Sequence, residues 1–387
     1  MIWNDTTLEP LRLQGDFDAD VLIAQMVAQS GASEATRFFD SLIRNIDLPV
    51  QQTSRAIQEF VSQSAATPLG IDLARVARGQ QVFIDNCPQI ALILYFKSLP
   101  MTYLNWRLSH TLVKTGRLGN RDWPATFARR VGETTQFVFD VMTPGNLQPN
   151  GIGVSTTLKV RLVHASVRHF LSAAPDFDAS KFQVPICQED LAYTLHTFAV
   201  EMVDGLRQLD TPIDTSTAED FFHAWKLVGH YLGIKPDLLP KDLNDARLQQ
   251  QAMLARLEGT SENGTEVTRA LMDFAREAML PGRWFDNSPE QLIRFFIGEP
   301  RAATLGVTGG LGWLERLVPL ILRRWFGFAE RLEGGDANLK QLGDLLGVEL
   351  IRGLMATFMS FKGRPLEVPE VVVQRFGLTP HAMRPPR

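Results

Sequence analysis

The sequence predicts an all-α protein with one large helical core and additional N- and C-terminal helices. Three observations predict it. Apolar residues recur at three- and four-residue spacing through most of the chain. Strand signals are nearly absent; only Val371–Val373, a fragment near the C-terminus, reads either way. No long linker separates two halves, and a chain of 387 residues suffices for one large core. The expected organisation is a single domain over 1–387, with the main core at about 70–300, C-terminal helices at 301–364 and a loose tail at 365–387.

Each element has a local reason. Residues 1–30 read as a loop and a short helix. Residues 31–67 carry helical periodicity (Phe38, Phe39, Ile43, then Ala56, Ile57, Phe60, Val61), interrupted between Asp47 and Val50 by Pro49. Residues 71–97 form one or two apolar helices that read as buried core, including the densest apolar run, Ile90–Phe96. A further helix over 98–119 ends near Gly116 and Gly119. Pro124 suits a first turn, and Phe127, Val131, Thr134, Val138 and Val141 place a helix over 125–142, stopped by Thr143-Pro144-Gly145. Gly145–Ser155 reads as a glycine-rich loop without phosphate-loop spacing.

Helices are then expected at 156–172, 187–208 and 217–232, the last capped by Thr215, Ser216 or Thr217. Residues 242–277 break around Gly259–Gly264. A short helix covers 288–297, a Gly/Pro/Thr linker 298–311, an amphipathic helix 312–332 and a last helix or pair 338–360.

Composition narrows the function. Hydrophobic residues at 45% and charged residues at 21% fit a globular protein rather than a disordered one. The formal charge of -4 gives no general basic surface, so nucleic acid is not an expected partner. Two separated cysteines, Cys87 and Cys187, make neither a disulfide framework nor a zinc cluster, and suit a reducing compartment. The opening residues do not read as a secretory signal, so the expected location is cytoplasmic. Residues 312–332 set Trp313, Leu314, Leu317, Leu320, Ile321 and Trp325 among Arg316, Arg323 and Arg324. They read either as a packed C-terminal helix or dimer contact, or as a peripheral membrane contact.

The chemistry-bearing residues gather on the central helices. Arg161, His164 and Arg168 lie at i, i+3 and i+7, within one sector of the helix 156–172. Two readings follow: arginines paired with acids around a core histidine, or His164 on a haem iron with the arginines near the propionates. On 125–142, Arg130 and Thr134 share a face beside Glu133, which suits either an ion-paired surface or polar contact with an anion or bound oxygen. Gln188, Glu189 and Asp190 would cap their helix. Asp220 and His223 have the spacing of a di-iron ligand pair, but no second such pair exists. No His-Glu-x-x-His, Gly-x-Ser-x-Gly or Gly-x-Gly-x-x-Gly is present.

Four segments resemble a known family: TGRLGNRDWPATFARRVGETTQFVFDV (115–141), KVRLVHASVRHFL (159–171), QVPICQEDLAYTLHTFAVEMVDGL (183–206) and AEDFFHAWKLVGHYLGI (218–234). In this order and spacing they resemble the domain shared by bacterial latex-clearing rubber oxygenases and the fungal membrane-bound oxygenase of mycophenolic acid biosynthesis. The resemblance runs over about 70–300. It implies an all-helical core enclosing haem b, with His164 as proximal iron ligand and O2 as co-substrate. It further implies Arg168 near the haem or its second layer, Arg130 and Thr134 on the distal helix, and Gln188–Asp190 as a brace. Two departures speak against carrying rubber itself over as substrate. Glu133 stands where rubber oxygenases have lysine, and Lys114 stands near the place of an acidic residue.

The expected function is thus a haem-dependent oxygenase or dioxygenase acting on a hydrophobic, alkene-containing isoprenoid or lipid-like small molecule, as a monomer or homodimer. A haem protein with a peroxidase, sensor or carrier role, and a haem-free helical lipid-binding or structural protein, stand as alternatives.

Overall fold

The computed structural model describes residues 3–31, 54–115, 123–276, 288–308, 323–324 and 370–375. Among them the chain is all-α. The helices are α1 (Asp5–Leu8), α2 (Phe17–Ser30), α3 (Arg55–Ser64), α4 (Leu73–Asp85), α5 (Cys87–Ile93), α6 (Leu99–Tyr103), α7 (Trp106–Lys114), α8 (Trp123–Met142) and α9 (Ile152–Ser172). There follow α10 (Ala179–Phe182), α11 (Gln188–Gln208), α12 (Thr215–Tyr231), α13 (Leu243–Leu257), α14 (Glu262–Phe274), α15 (Ser288–Ile297), α16 (Glu299–Thr304) and α17 (Glu370–Arg375). The only strand-like feature among the described residues is an isolated antiparallel bridge between Asn105 and Glu258. No helix among them is long and apolar enough to cross a membrane.

The chain divides into two compact units. The first comprises Met1–Gln81, Asp140–His196 and Glu219–Arg256; the second comprises Val82–Phe139, Thr197–Ala218 and Leu257–Arg387.

In the first unit, α9 packs along α2 and α3. Leu162 and Ala165 of α9 meet Ala19, Leu22 and Ile23 of α2 and Ile57 and Phe60 of α3 in one buried cluster. Burying each of the larger side chains stabilises the fold by about 1.5–3 kcal/mol. Two glycines allow close backbone approach. A Cβ on Gly79 would lie 3.0 Å from Phe221 Cα, and one on Gly153 would lie 2.8 Å from the Asp140 carbonyl oxygen.

The second unit is organised on residues 87–103, where α5 and α6 are joined by a π-helical turn, Leu94–Ser98. Pro100 supplies a reason for it. It has no N–H to give the carbonyl of Phe96, and its ring would crowd that carbonyl in a regular α-turn. The wider turn instead lets the Leu99 N–H reach the Leu94 carbonyl. This turn buries Lys97, whose Nζ lies 3.0 Å from Glu201 Oε2. Beside it, Tyr95 Oη and Thr135 Oγ1 are 3.0 Å apart, as are Thr102 Oγ1 and Thr197 Oγ1. Asn105 breaks α6 from α7, and its side chain accepts the N–H groups of Arg107 and Leu108.

Several sequence expectations are corrected. The loop expected over Gly145–Ser155 ends at Gly151, because α9 begins at Ile152, where Gly153 permits tight approach to α8. The helix expected over 98–119 is split by the Asn105 cap. The helix expected from 217 begins at Thr215; Asp214, not a Ser or Thr, accepts the Thr217 N–H at 3.0 Å. Part of the linker expected over 298–311 is α16, which starts after Gly298 at φ 83° and carries Pro300 in its first turn. Val371–Val373 lies in helix α17. Apart from Arg323 and Arg324, the expected helix 312–332 falls outside the described residues, as do the helices at 338–360 and Phe38, Phe39 and Ile43.

Candidate functional site

The first unit carries His164 on a heavily anchored helix. Leu158, Leu162 and Ala165 bury one side of α9. His164 is half-buried on another flank, between Arg161 and Arg168 at i−3 and i+4. Both arginines are buried and engaged. Arg161 Nε and Nη2 donate to the two oxygens of Asp16 at 2.5 and 2.8 Å. Arg168 Nε donates to Asp20 Oδ1 at 2.7 Å, and its Nη1 donates to the Ile186 carbonyl at 3.0 Å. Arg168 Nη2 is buried without a hydrogen-bond partner among the described residues. Burial pushes the Asp20 carboxyl above its usual range, against the pull of Arg168. Glycines make room for both pairs: a Cβ on Gly233 would come within 2.6 Å of Arg161 Nε, and one on Gly15 within 3.0 Å of Arg168 Nε.

Gln188, Glu189 and Asp190 tie the same unit together. The Gln188 side-chain amide donates to the carbonyls of Gly15 and Gly233, while its oxygen accepts the Lys235 N–H. Arg12, fully buried, donates to Asp190 at 3.0 Å and lies 3.6 Å from Glu189. Arg256 Nε donates to Glu189 at 2.9 Å, and its other nitrogens reach Asp5 and Glu9. The N-terminal residues 5–20 are thus fastened by buried charge to α9, α11 and α13. Sequence reading missed these partners. The one signal was the one-turn spacing of Asp16 and Asp20.

Arg130, Glu133 and Thr134 belong to the second unit, His164 to the first. Thr134 Oγ1 donates to the Arg130 carbonyl at 2.9 Å, so its proton is used within the helix. Glu133 Oε1 lies 3.6 Å from Arg129 Nε. Arg130 is half-buried, and burial lowers its affinity for the proton, with Glu133 and Tyr103 opposing that shift.

The di-iron spacing of Asp220 and His223 is spent on structure. Asp220 accepts from Arg75 and Arg78 at 2.7 and 2.6 Å, and His223 Nε2 accepts the Asp72 N–H at 3.1 Å. Among the described residues no group of three or more His, Cys, Asp or Glu side chains is arranged to hold a metal ion. Both cysteines are free and buried, and burial pushes the Cys87 thiol up to about 12, which disfavours a thiolate ligand. A porphyrin iron asks less of the protein, since the macrocycle supplies four nitrogens and one imidazole suffices as an axial ligand. The donor set around His164, one imidazole on a fixed helix with a spare buried guanidinium N–H one turn away, fits that requirement.

Comparison with known proteins agrees with this architecture. Residues 91–331 match the model of the family described as ER-bound oxygenase mpaB/B'/Rubber oxygenase, catalytic domain. The rubber oxygenase of Streptomyces sp. (strain K30) is 23% identical over 265 residues, covering 68% of this chain and 63% of that protein. The match therefore spans less than two thirds of that relative. A solved structure of latex clearing protein LCP in the closed state has the same fold, with a TM-score of 0.74 at 20% identity over 92% of this chain and 94% of that one. The chain belongs to the family of the ER-bound oxygenase and rubber oxygenase catalytic domain.

Proposed function

We propose that the chain is a haem b-dependent oxygenase that uses O2 on a hydrophobic, alkene-containing substrate of isoprenoid or lipid type. Its proximal iron ligand is His164. Family membership supports the reaction class. The family's histidine motif carries the assignment of His164; the ion pairs of Arg161 and Arg168 with Asp16 and Asp20 anchor the helix that bears it.

Haem, when bound, supplies the activation of O2. The protein does the rest. His164 presents an imidazole nitrogen as ligand. Arg161 and Arg168 hold the register of α9 through Asp16 and Asp20, and the free Nη2–H of Arg168 is available to an acceptor on the cofactor. Arg130 supplies a partly desolvated cation. Thr134 offers the lone pairs of a hydroxyl whose proton is already committed. Glu133 serves as a base or as the partner of Arg130. The carboxylate at 133 in place of the family's lysine speaks against carrying rubber itself over as the substrate.

Protein expressed with ample haem, incubated with an unsaturated isoprenoid such as squalene, is expected to consume O2 and release carbonyl products. Glu133→Ala is expected to abolish turnover while haem content stays constant. Colourless protein that remains so after haem addition, with no oxygen uptake, would end this reading.

A further inference from the structure

The two arginines that flank His164 take their counter-charges from one place, the N-terminus of α2. Asp16 stands just before the first residue of that helix, and Asp20 lies one turn on. The two acids are joined to each other. The Asp16 N–H donates to Asp20 Oδ2 at 3.0 Å, and the Asp20 N–H donates to the Asp16 carbonyl at 2.8 Å. Both carboxylates also reach α9. Asp16 takes Arg161 through both of its oxygens, and Asp20 Oδ1 takes Arg168 Nε. Negative charge is favoured at this end of α2 by the helix dipole.

The spacing gives the arrangement a mechanical consequence. Arg161 and Arg168 are seven residues apart, about 10 Å along α9, and His164 lies between them in the same sector. One ion pair would let α9 pivot about it. Two, at either end of the sector, fix both the rotation of the helix and its advance along its axis. The apolar contacts of Leu162 and Ala165 with α2 are non-directional, whereas a bidentate guanidinium–carboxylate pair has a set geometry. A ligand side chain must be held to within about 0.5 Å and 10–20° of its working position. We infer that Asp16 and Asp20 are positioning residues for His164: together they set the rotation of α9 and so the aim of the imidazole. The inference rests on the haem reading of His164. Both acids precede residues 91–331, so part of the support for the ligand comes from outside the span of the family match.

The test is haem titration of the full chain, read by the Soret maximum and by low-temperature electron paramagnetic resonance of the ferric form. The parent is compared with Asp16→Asn, Asp20→Asn and Asp16→Glu. Asp220→Asn is the control, because it takes an acid from Arg75 and Arg78 of α4 in the same unit. Asp16→Asn and Asp20→Asn are each expected to weaken haem binding by roughly tenfold or more and to shift the resonance. Asp16→Glu keeps the charge and lengthens the arm by one methylene. It is expected to retain more of the urea midpoint than Asp16→Asn and still to shift the resonance. The Asp20 side chain is 34% exposed, so Asp20→Asn decides the matter even where Asp16→Asn does not fold. In His164→Gly supplied with free imidazole, the ligand no longer rides on α9, and adding Asp20→Asn should change neither readout. Variants at 16 and 20 that match the parent, or that shift no further than Asp220→Asn at equal loss of stability, would overturn the inference; the haem reading then stands if His164→Ala still removes the band. Haem uptake indifferent to His164→Ala would sink that reading and the inference with it.

Discussion

Arg161 and Arg168 show how much one side chain can depend on residues far away in the chain. Their partners Asp16 and Asp20 lie 145 and 148 residues earlier. The shared flank of Arg161, His164 and Arg168 is legible in the i, i+3, i+7 spacing. The partners are not, because nothing local to α9 specifies them. The energetic consequence is asymmetric: a buried pair stabilises modestly, but breaking one side leaves a charge without compensation. Asp16→Asn should therefore lower unfolding stability by about 3 kcal/mol, read from urea denaturation. Gly233→Ala should cost a similar amount, because position 233 has φ 82° and its new Cβ would crowd the same pair. The two losses share one cause, so the double variant should fall well short of their sum. Full additivity would show that the glycine and the ion pair act separately.

At the scale of elements, the long periodic helices were readable and the irregular ones were not. Helices α8, α9, α11 and α12 follow their apolar spacing to within four residues at each end. The π-turn Leu94–Ser98 sits inside a run that reads as ordinary core helix, and only Pro100 hints at it. That turn carries the buried Lys97–Glu201 pair, which sequence spacing cannot show because its members lie on separate helices. Lys97→Met is expected to destabilise the protein by about 3 kcal/mol by removing the cation opposite the buried Glu201 carboxylate, while Lys97→Met with Glu201→Met should recover much of the loss. A double variant as unstable as the single one would mean that the pair's geometry, rather than its charge balance, holds the turn.

For the molecule as a whole, pH dependence has an identifiable contributor. His196 is fully buried with Nε2 2.5 Å from Gln249 Oε1, and burial lowers its proton affinity to about 4. An unfolded histidine binds a proton near pH 6.5. Between these values the unfolded chain holds the extra proton. The contribution of His196 to stability is therefore complete above about pH 6.5, declines as the pH falls toward about 4 and changes no further below it. The span is worth up to about 3 kcal/mol. His196→Gln should flatten the part of the stability–pH curve between those limits, measured by denaturant unfolding across the range. An unchanged slope would assign the acid sensitivity to other groups.

The all-helical class was legible in the whole chain because periodicity accumulates over many turns. The cofactor assignment was legible only through family motifs, since one histidine between two arginines is compatible with an inert core. The absorption spectrum of haem-replete protein beside His164→Ala tests that assignment most directly, with Asp220→Asn, on a different helix, as a control. The account predicts a Soret band in the parent and the control, and its loss or marked shift in His164→Ala. An unaltered band in His164→Ala, or a parent protein that takes up no haem, would contradict it.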